Sequence, residues 1–162
     1  SFRLVADNGR FGLMDSTFGF AFPIEYDWIS TLKDGNYHMI KDGIKRKVSP
    51  DGTILQDFVV DHTWPLKYPA RIESQMGEDR WGDPELIEEV ANTLSDYLGY
   101  RIDYGEEKAF GVIQAHTGKL IIPAKYDNVR MVSDKLFEVE DMHDRTSILI
   151  DLEGRIIQTN RK

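Results

Sequence analysis

Two stretches of the chain say nearly the same thing. "GFAFPIEYD" begins at Gly19 and "GKLIIPAKYD" at Gly118. Sliding the sequence along itself sets Gly12 on Gly111, Gly19 on Gly118, Pro23 on Pro123, Tyr26 on Tyr126 and Asp27 on Asp127. Apolar positions follow, Ile29 with Val129, Tyr37 with Phe137 and Met39 with Val139. The offset grows from 99 at Gly12 to 100 at Pro23 and 102 where Gly52 meets Gly154, so length changes fall between matched segments, where turns absorb them. Repetition of this kind constrains a fold more than any local signal, because each copy must be the same small structural unit. It divides a single domain, 1–162, into a block at 1–57, a related block at 100–162, and a segment at 58–99 between them.

Within each block the local chemistry is that of β-hairpins. Asn8-Gly9 stands between two short apolar-rich runs, and a type I′ turn needs positive φ at both central residues, which Asn and Gly supply. Asp42-Gly43 and Asp51-Gly52 repeat that chemistry, as do "YGEEKAFGVI", "AHTGKL" and "DLEGRII" in the second block. Each block is itself double. "GLMDSTFGFAF" resembles "RKVSPDGTIL", and "GVIQAHTGKLII" resembles "ILIDLEGRII", which makes four units in all. The expected fold is mainly β, tandem hairpins in two related blocks.

In this order of residues, hairpin Asn-Gly, aromatic-Gly-aliphatic, Gly turn, apolar strand and Pro-x-x-Tyr-Asp, the chain resembles WG-repeat proteins. "NGRFGLMDSTFGFAFPIEYD" and "KAFGVIQAHTGKLIIPAKYD" carry the likeness. Phe11 and Phe110 stand where the family has Trp, while Lys45-Arg46 and Ser147-Ile148 replace the whole Trp-Gly pair. These are degenerate members. The resemblance implies tandem β-hairpin units, found largely in bacteria, of unknown biochemical role and seldom associated with catalysis.

The middle segment reads differently. "DPELIEEVANTLSDYLGY" has helix signals at both ends: Asp83 to cap, Pro84 in the first turn, Glu85, Glu88 and Glu89 at the positive end of the dipole, and Gly99 as the left-handed stop. Leu86, Ile87, Val90, Leu94, Tyr97 and Leu98 form one apolar face, so a helix over about 84–98 is expected. Ahead of it, Pro65 and Pro69 are expected to interrupt regular structure. The segment holds 9 acids against 3 bases, −6 of the chain's net −8.

That acidity argues against a nucleic-acid partner, since phosphate binding rests on clustered Lys and Arg. The one basic run, Lys41, Lys45, Arg46 and Lys47, is explained as a solvated strand edge. With no cysteine among 162 residues, disulfides and thiolate chemistry are excluded, and no run is apolar enough for a membrane helix. Those features suit a cytoplasmic protein; a secreted or periplasmic one stays open because no initiator Met is visible.

Four histidines form no ligating pattern, and His143 falls in an expected hairpin loop rather than a metal site. Tyr26-Asp27 and Tyr126-Asp127 read as structural corners, because repeat-equivalent carboxylates have equivalent environments and acid–base pairs need different ones. No catalytic residue, cofactor site or metal site is therefore expected, and the chain is expected not to be an enzyme. Trp64, Tyr68 and Trp81 combine aromatic area with the negative field of Glu73, Glu78, Asp79, Asp83, Glu85, Glu88 and Glu89. Those ten residues are the expected partner-binding set, with either Trp equally able to serve as core. The partner is expected to be a basic protein, most concretely a toxin domain that the chain inhibits as an immunity protein. The alternatives are a spacer within a longer repeat array or an unrecognised carbohydrate-active enzyme.

Overall fold

The computed structural model describes the backbone of residues 2–161 and their side chains except at residues 71–75 and 85–90. Fifteen strands follow one another: β1 (Arg3–Asp7), β2 (Arg10–Met14), β3 (Phe20–Tyr26), β4 (Trp28–Thr31), β5 (Tyr37–Lys41), β6 (Ile44–Val48), β7 (Ile54–Gln56), β8 (His62–Glu78), β9 (Pro84–Tyr104), β10 (Glu107–Gln114), β11 (Leu120–Tyr126), β12 (Asn128–Ser133), β13 (Leu136–Asp141), β14 (Thr146–Asp151) and β15 (Ile156–Arg161). They form four sheets in the orders β1-β2-β3, β4-β5-β6-β7, β11-β10-β9-β8 and β12-β13-β14-β15. The fold is mainly β and built of hairpins.

Turn chemistry places the strands. Asn8 and Gly9 have φ of 50° and 77°, and Asp42 and Gly43 have 53° and 77°, the positive pair that joins strands with the native twist. A second turn recurs where strands are joined by longer loops. In it the first residue's amide bonds to the carbonyl four residues on, and its carbonyl receives the amide three residues on. It occurs at Leu32–Asn36, Ser49–Thr53, Asp79–Asp83 and Asp151–Arg155, with Gly35, Gly52, Gly82 and Gly154 at the positive-φ position. The β2–β3 turn, Asp15–Gly19, has the same bonds but puts Phe18 there, at φ 64°.

The Gly of the degenerate Trp-Gly pair is fixed by packing. A Cβ on Gly111 would lie 2.3 Å from the Ile122 carbonyl oxygen, and one on its counterpart Gly12 would lie 2.8 Å from that of Phe22. In both copies the following strand crosses too closely for a side chain.

The expected helix over 84–98 is not there; the segment is strand β9. Ala91, Thr93, Ser95 and Tyr97 are half-buried while Asn92, Leu94 and Asp96 are exposed, a period of two rather than 3.6. Short apolar spacings fit both periods, and the ladder decides between them. β9 runs alongside β8 and gains a hydrogen-bond ladder from it, with β10 joining at its C-terminal end, whereas about 16 residues of helix are marginal alone. Nor do the prolines interrupt β8. This strand is the edge of its sheet, and Pro65 and Pro69, an even number apart, direct both missing donors to the same side of the strand.

Cα packing divides the chain into two compact units. One comprises Ser1–Thr63, Tyr100–Gly111 and Ile122–Tyr126, the other Trp64–Gly99, Val112–Ile121 and Asp127–Lys162. The first buries Leu13, Phe22, Ile29, Tyr37, Met39 and Val48 as one cluster. In the same unit Tyr100 is wholly buried, its hydroxyl donating to the Gly43 carbonyl at 3.4 Å, and burial pushes its phenol above the ordinary tyrosine value. The second unit buries Val112, Phe137, Val139 and Ile150, with the Tyr97 ring edge-on to Phe137 at 5.1 Å.

Candidate functional site

The Tyr-Asp corner is a clasp. The Asp27 amide donates to the Ile40 carbonyl at 2.8 Å, and its carboxylate accepts the Asp42 amide at 3.0 Å. Asp127 repeats both bonds, to the Glu140 carbonyl at 2.8 Å and from the Met142 amide at 2.7 Å. A third copy lacks the tyrosine. Asp61 donates to the Arg101 carbonyl at 2.9 Å and accepts the Asp103 amide at 2.6 Å. Each corner is a single bend residue followed directly by a strand, β4, β8 or β12. These carboxylates are occupied in fixing the backbone, as expected of Tyr26-Asp27 and Tyr126-Asp127 from the sequence.

The third corner redefines the middle segment. From corner to clasped amide the first and last copies span 15 residues and the second spans 42, so the second carries 27 more. β8 and β9 therefore take the places of β4–β5 and β12–β13. Residues 58–99 contain an overgrown repeat hairpin, and its far end closes with the same turn that closes β4–β5. The sequence held that signal in Asp79-x-x-Gly82, which matches Asp151-x-x-Gly154, and in Val60-Asp61 standing for Tyr-Asp.

Beneath the third corner lies an ion pair. Lys45, on β6, is 5 % exposed; its ammonium donates to Asp61 Oδ2 at 3.0 Å and to the Asp103 carbonyl at 2.7 Å. This overturns the reading of the basic run as a solvated edge. β6 is interior to its sheet, and Lys45 occupies the repeat position held elsewhere by Phe11, Phe110 and the buried Ser147. That position is buried at Lys45 and Ser147 and half-buried at Phe11 and Phe110, and a buried charge there requires a partner. Nearby, burial and the positive charge of Lys45 hold the half-buried His38 below its ordinary value.

At the hairpin's end Asp79 Oδ1 accepts the amides of Trp81 at 2.8 Å and Asp83 at 3.0 Å. These bonds satisfy the turn from within, as Asx turns do. Trp81 projects from that turn at 78 % exposure, with the Arg80 guanidinium 5.3 Å from its ring centre. Glu78 and Asp83 are exposed beside it, and Met76 and Leu94 on the flanking strands are 68 % and 64 % exposed. Trp64 has a different role. It is half-buried on β8, and a Cβ on Gly99 would fall 2.4 Å from its ring, so the indole covers that glycine. Tyr68 is half-buried on the same strand, and Ser95 on β9 bonds the Leu66 carbonyl at 2.7 Å.

Of the ten expected partner residues, Glu78, Asp79, Trp81 and Asp83 meet at one tip, with Asp79 committed to the turn. Trp64 and Tyr68 lie on strand faces, and the side chains of Glu73, Glu85, Glu88 and Glu89 fall outside the described ones. Met76 was not legible as an exposed residue, and Leu94 was expected on a helix face. His143 sits exposed in the β13–β14 turn, its amide bonded to Asp141 at 3.0 Å. Among the described residues no cluster of His, Asp and Glu is arranged to hold a metal ion, and no helix is long and apolar enough to cross a membrane.

Comparison with known families accounts for the corner. Residues 110–141, from the Phe110-Gly111 pair through the Asp127 clasp to the end of β13, match the WG containing repeat. The chain carries a WG repeat. The clasp that lies within the matched residues, at Asp127, is formed at Asp27 and Asp61 as well. No curated protein and no solved structure matches the chain.

Proposed function

We propose that the protein is a non-catalytic, protein-binding WG-repeat module whose β8–β9 hairpin engages a basic surface of another protein. The observation that carries this reading is Trp81, 78 % exposed at the tip of a hairpin longer than the repeat requires. An exposed indole costs solubility and contributes nothing to the fold, while interface hot spots are enriched in Trp. Glu78 and Asp83, exposed beside that anchor, give it a negative field that accelerates encounter with a cationic partner. In its most concrete form the partner is a toxin whose basic, phosphate-binding cleft the hairpin occludes.

The test is capture at low salt from the native cell by the full chain and by two variants, Trp81→Ala and the pair Glu78→Lys with Asp83→Lys. Asp79 is left alone because its loss would unmake the turn. A basic protein held by the parent chain and released by both variants, at unchanged melting temperature, supports the reading. Equal capture by all three chains sinks it. A spacer in a longer array, the alternative, captures nothing in any arm.

A further inference from the structure

The first unit contains a pocket of about 320 Å³ that the repeat does not require. Its floor is small and apolar: Ile40 on β5, the Gly43 backbone, Ile102 on β9, Ala109 on β10 and Ala124 on β11, all buried. Ala109 and Ala124 stand where the matching copy has Arg10 and Ile24, so departures from the repeat open the space. At the β5–β6 tip a Cβ on Gly43 would fall 2.9 Å from Lys125 Cγ, which sets that lysine's stem against the turn carrying Asp42.

Two rings form the walls. Trp28 and Tyr104 have centroids 6.2 Å apart and planes inclined at 59°. Phe11 meets the Trp28 indole edge-on at 6.0 Å, and a Cβ on Gly105 would be 3.2 Å from its Cη2, so the indole is held firmly while half-buried. The corner itself does not call for it, since His62 follows Asp61 and Asn128 follows Asp127. Charge at the mouth is balanced: Arg10, Asp27, Asp42 and Lys125 are exposed there, two cations against two carboxylates. Arg10 is engaged, donating to the Glu25 carbonyl at 3.1 Å and lying 3.4 Å from Asp27 Oδ1, and Asp27 clasps the Asp42 amide. That leaves the Asp42 carboxylate and the Lys125 ammonium to meet a ligand.

We propose that this pocket binds a neutral saccharide, one pyranose ring entering between Trp28 and Tyr104. A balanced mouth disfavours phosphates and cationic side chains alike, each of which needs an excess of the opposite charge. Hydroxyls both donate and accept, so of a vicinal pair one donates to Asp42 and the other accepts from Lys125. Rings inclined at 59° let a planar base stack on only one of them, whereas a pyranose turns axial C–H groups to both. The volume lies at the lower end of the range for small-molecule pockets, which limits the site to about one or two rings. The pocket shares no residue with the β8–β9 tip, so it stands or falls separately from the protein-binding reading.

The experiment titrates the full chain with cellotriose, maltotriose, mannotriose and chitotriose, and follows the Trp28 indole N–H and the Gly43 and Ala109 amides by heteronuclear NMR. We expect at least one of these sugars to shift all three resonances saturably. Asp42→Asn removes the charge but keeps a residue that tolerates the φ of 53° at that position. It and Lys125→Met should each weaken binding about tenfold. Trp28→Ala should abolish binding, and the two rim variants report even if that one fails to fold. Binding that survives both rim substitutions overturns the proposal, and so does the absence of shifts with every sugar. A stronger response to adenosine, inorganic phosphate or N-acetylarginine amide gives the pocket to another ligand class and equally overturns it.

Discussion

β4–β5 and β8–β9 begin at the same clasp and end in the same turn, yet one spans 15 residues from corner to clasped amide and the other 42. The short hairpin places Ile29, Tyr37 and Met39 in the core of its unit. The long one uses its near end in the same way, through Tyr100 and Ile102, and sends its far end out to Trp81. The difference separates what the repeated corner needs from what has been added to it. Hairpin length is the quantity that varies, because added cross-strand pairs supply their own hydrogen bonds and leave the clasp unchanged.

The largest expected effect tests whether the three corners are energetically alike. Asp61→Ala strips the buried Lys45 of its counter-charge and should cost roughly 3–5 kcal/mol. Asp127→Ala, at an exposed corner that loses one hydrogen bond, should cost about 1 kcal/mol. Urea unfolding of both variants decides it; equal losses would mean that the Lys45 pair is not what distinguishes the second corner. Next, Gly99→Ala drives a methyl into the Trp64 indole and should cost about 1–3 kcal/mol, with a shift in tryptophan emission. A silent substitution would show that Trp64 does not hold the long hairpin's base.

A smaller effect of opposite sign is expected at the β2–β3 turn, where Phe18 stands 77 % exposed at the position that is Gly in four other turns. Phe18→Gly should raise stability by about 1 kcal/mol, by removing left-handed strain at a non-glycine residue. Smallest is an acid titration of the short hairpin's end. Asp34 is held at about 2 by its hydrogen bond from Lys47 and by the Asn36 amide. Its folded value is depressed, so its contribution is fully present above the unfolded value near 4 and is lost as pH falls through about 2. Lys47→Met should move the Asp34 carboxyl resonance midpoint upward, and an unmoved midpoint would remove Lys47 as the cause.

Legibility followed the range of the signal. Asn8-Gly9 and Asp42-Gly43 were readable because positive φ is a property of the dipeptide, and Asp27 and Asp127 because their clasp recurs with its flanking residues. Residues 84–98 were misread for the same reason in reverse. Asp83, Pro84 and Gly99 are local helix punctuation, and the strand is decided by its pairing with β8, which no window around position 90 contains. Asp61 was missed since its clasped partner lies 42 residues away and its preceding tyrosine is a valine. Lys45 appeared solvated because a charge in isolation prefers water; only the position of Asp61 makes its burial tolerable.

Sequence alone determined that this chain is a series of β-hairpins with a repeated corner, because turn residues and period-two strands act over a few residues and survive duplication. Tertiary structure alone decided that the acidic middle is one more hairpin of that series, that its lysine neighbour is internal, and that Trp64 turns inward while Trp81 does not. Those outcomes depend on which strand lies beside which, and strand pairing is settled by hydrogen-bond ladders and burial across distances that local propensity does not sense.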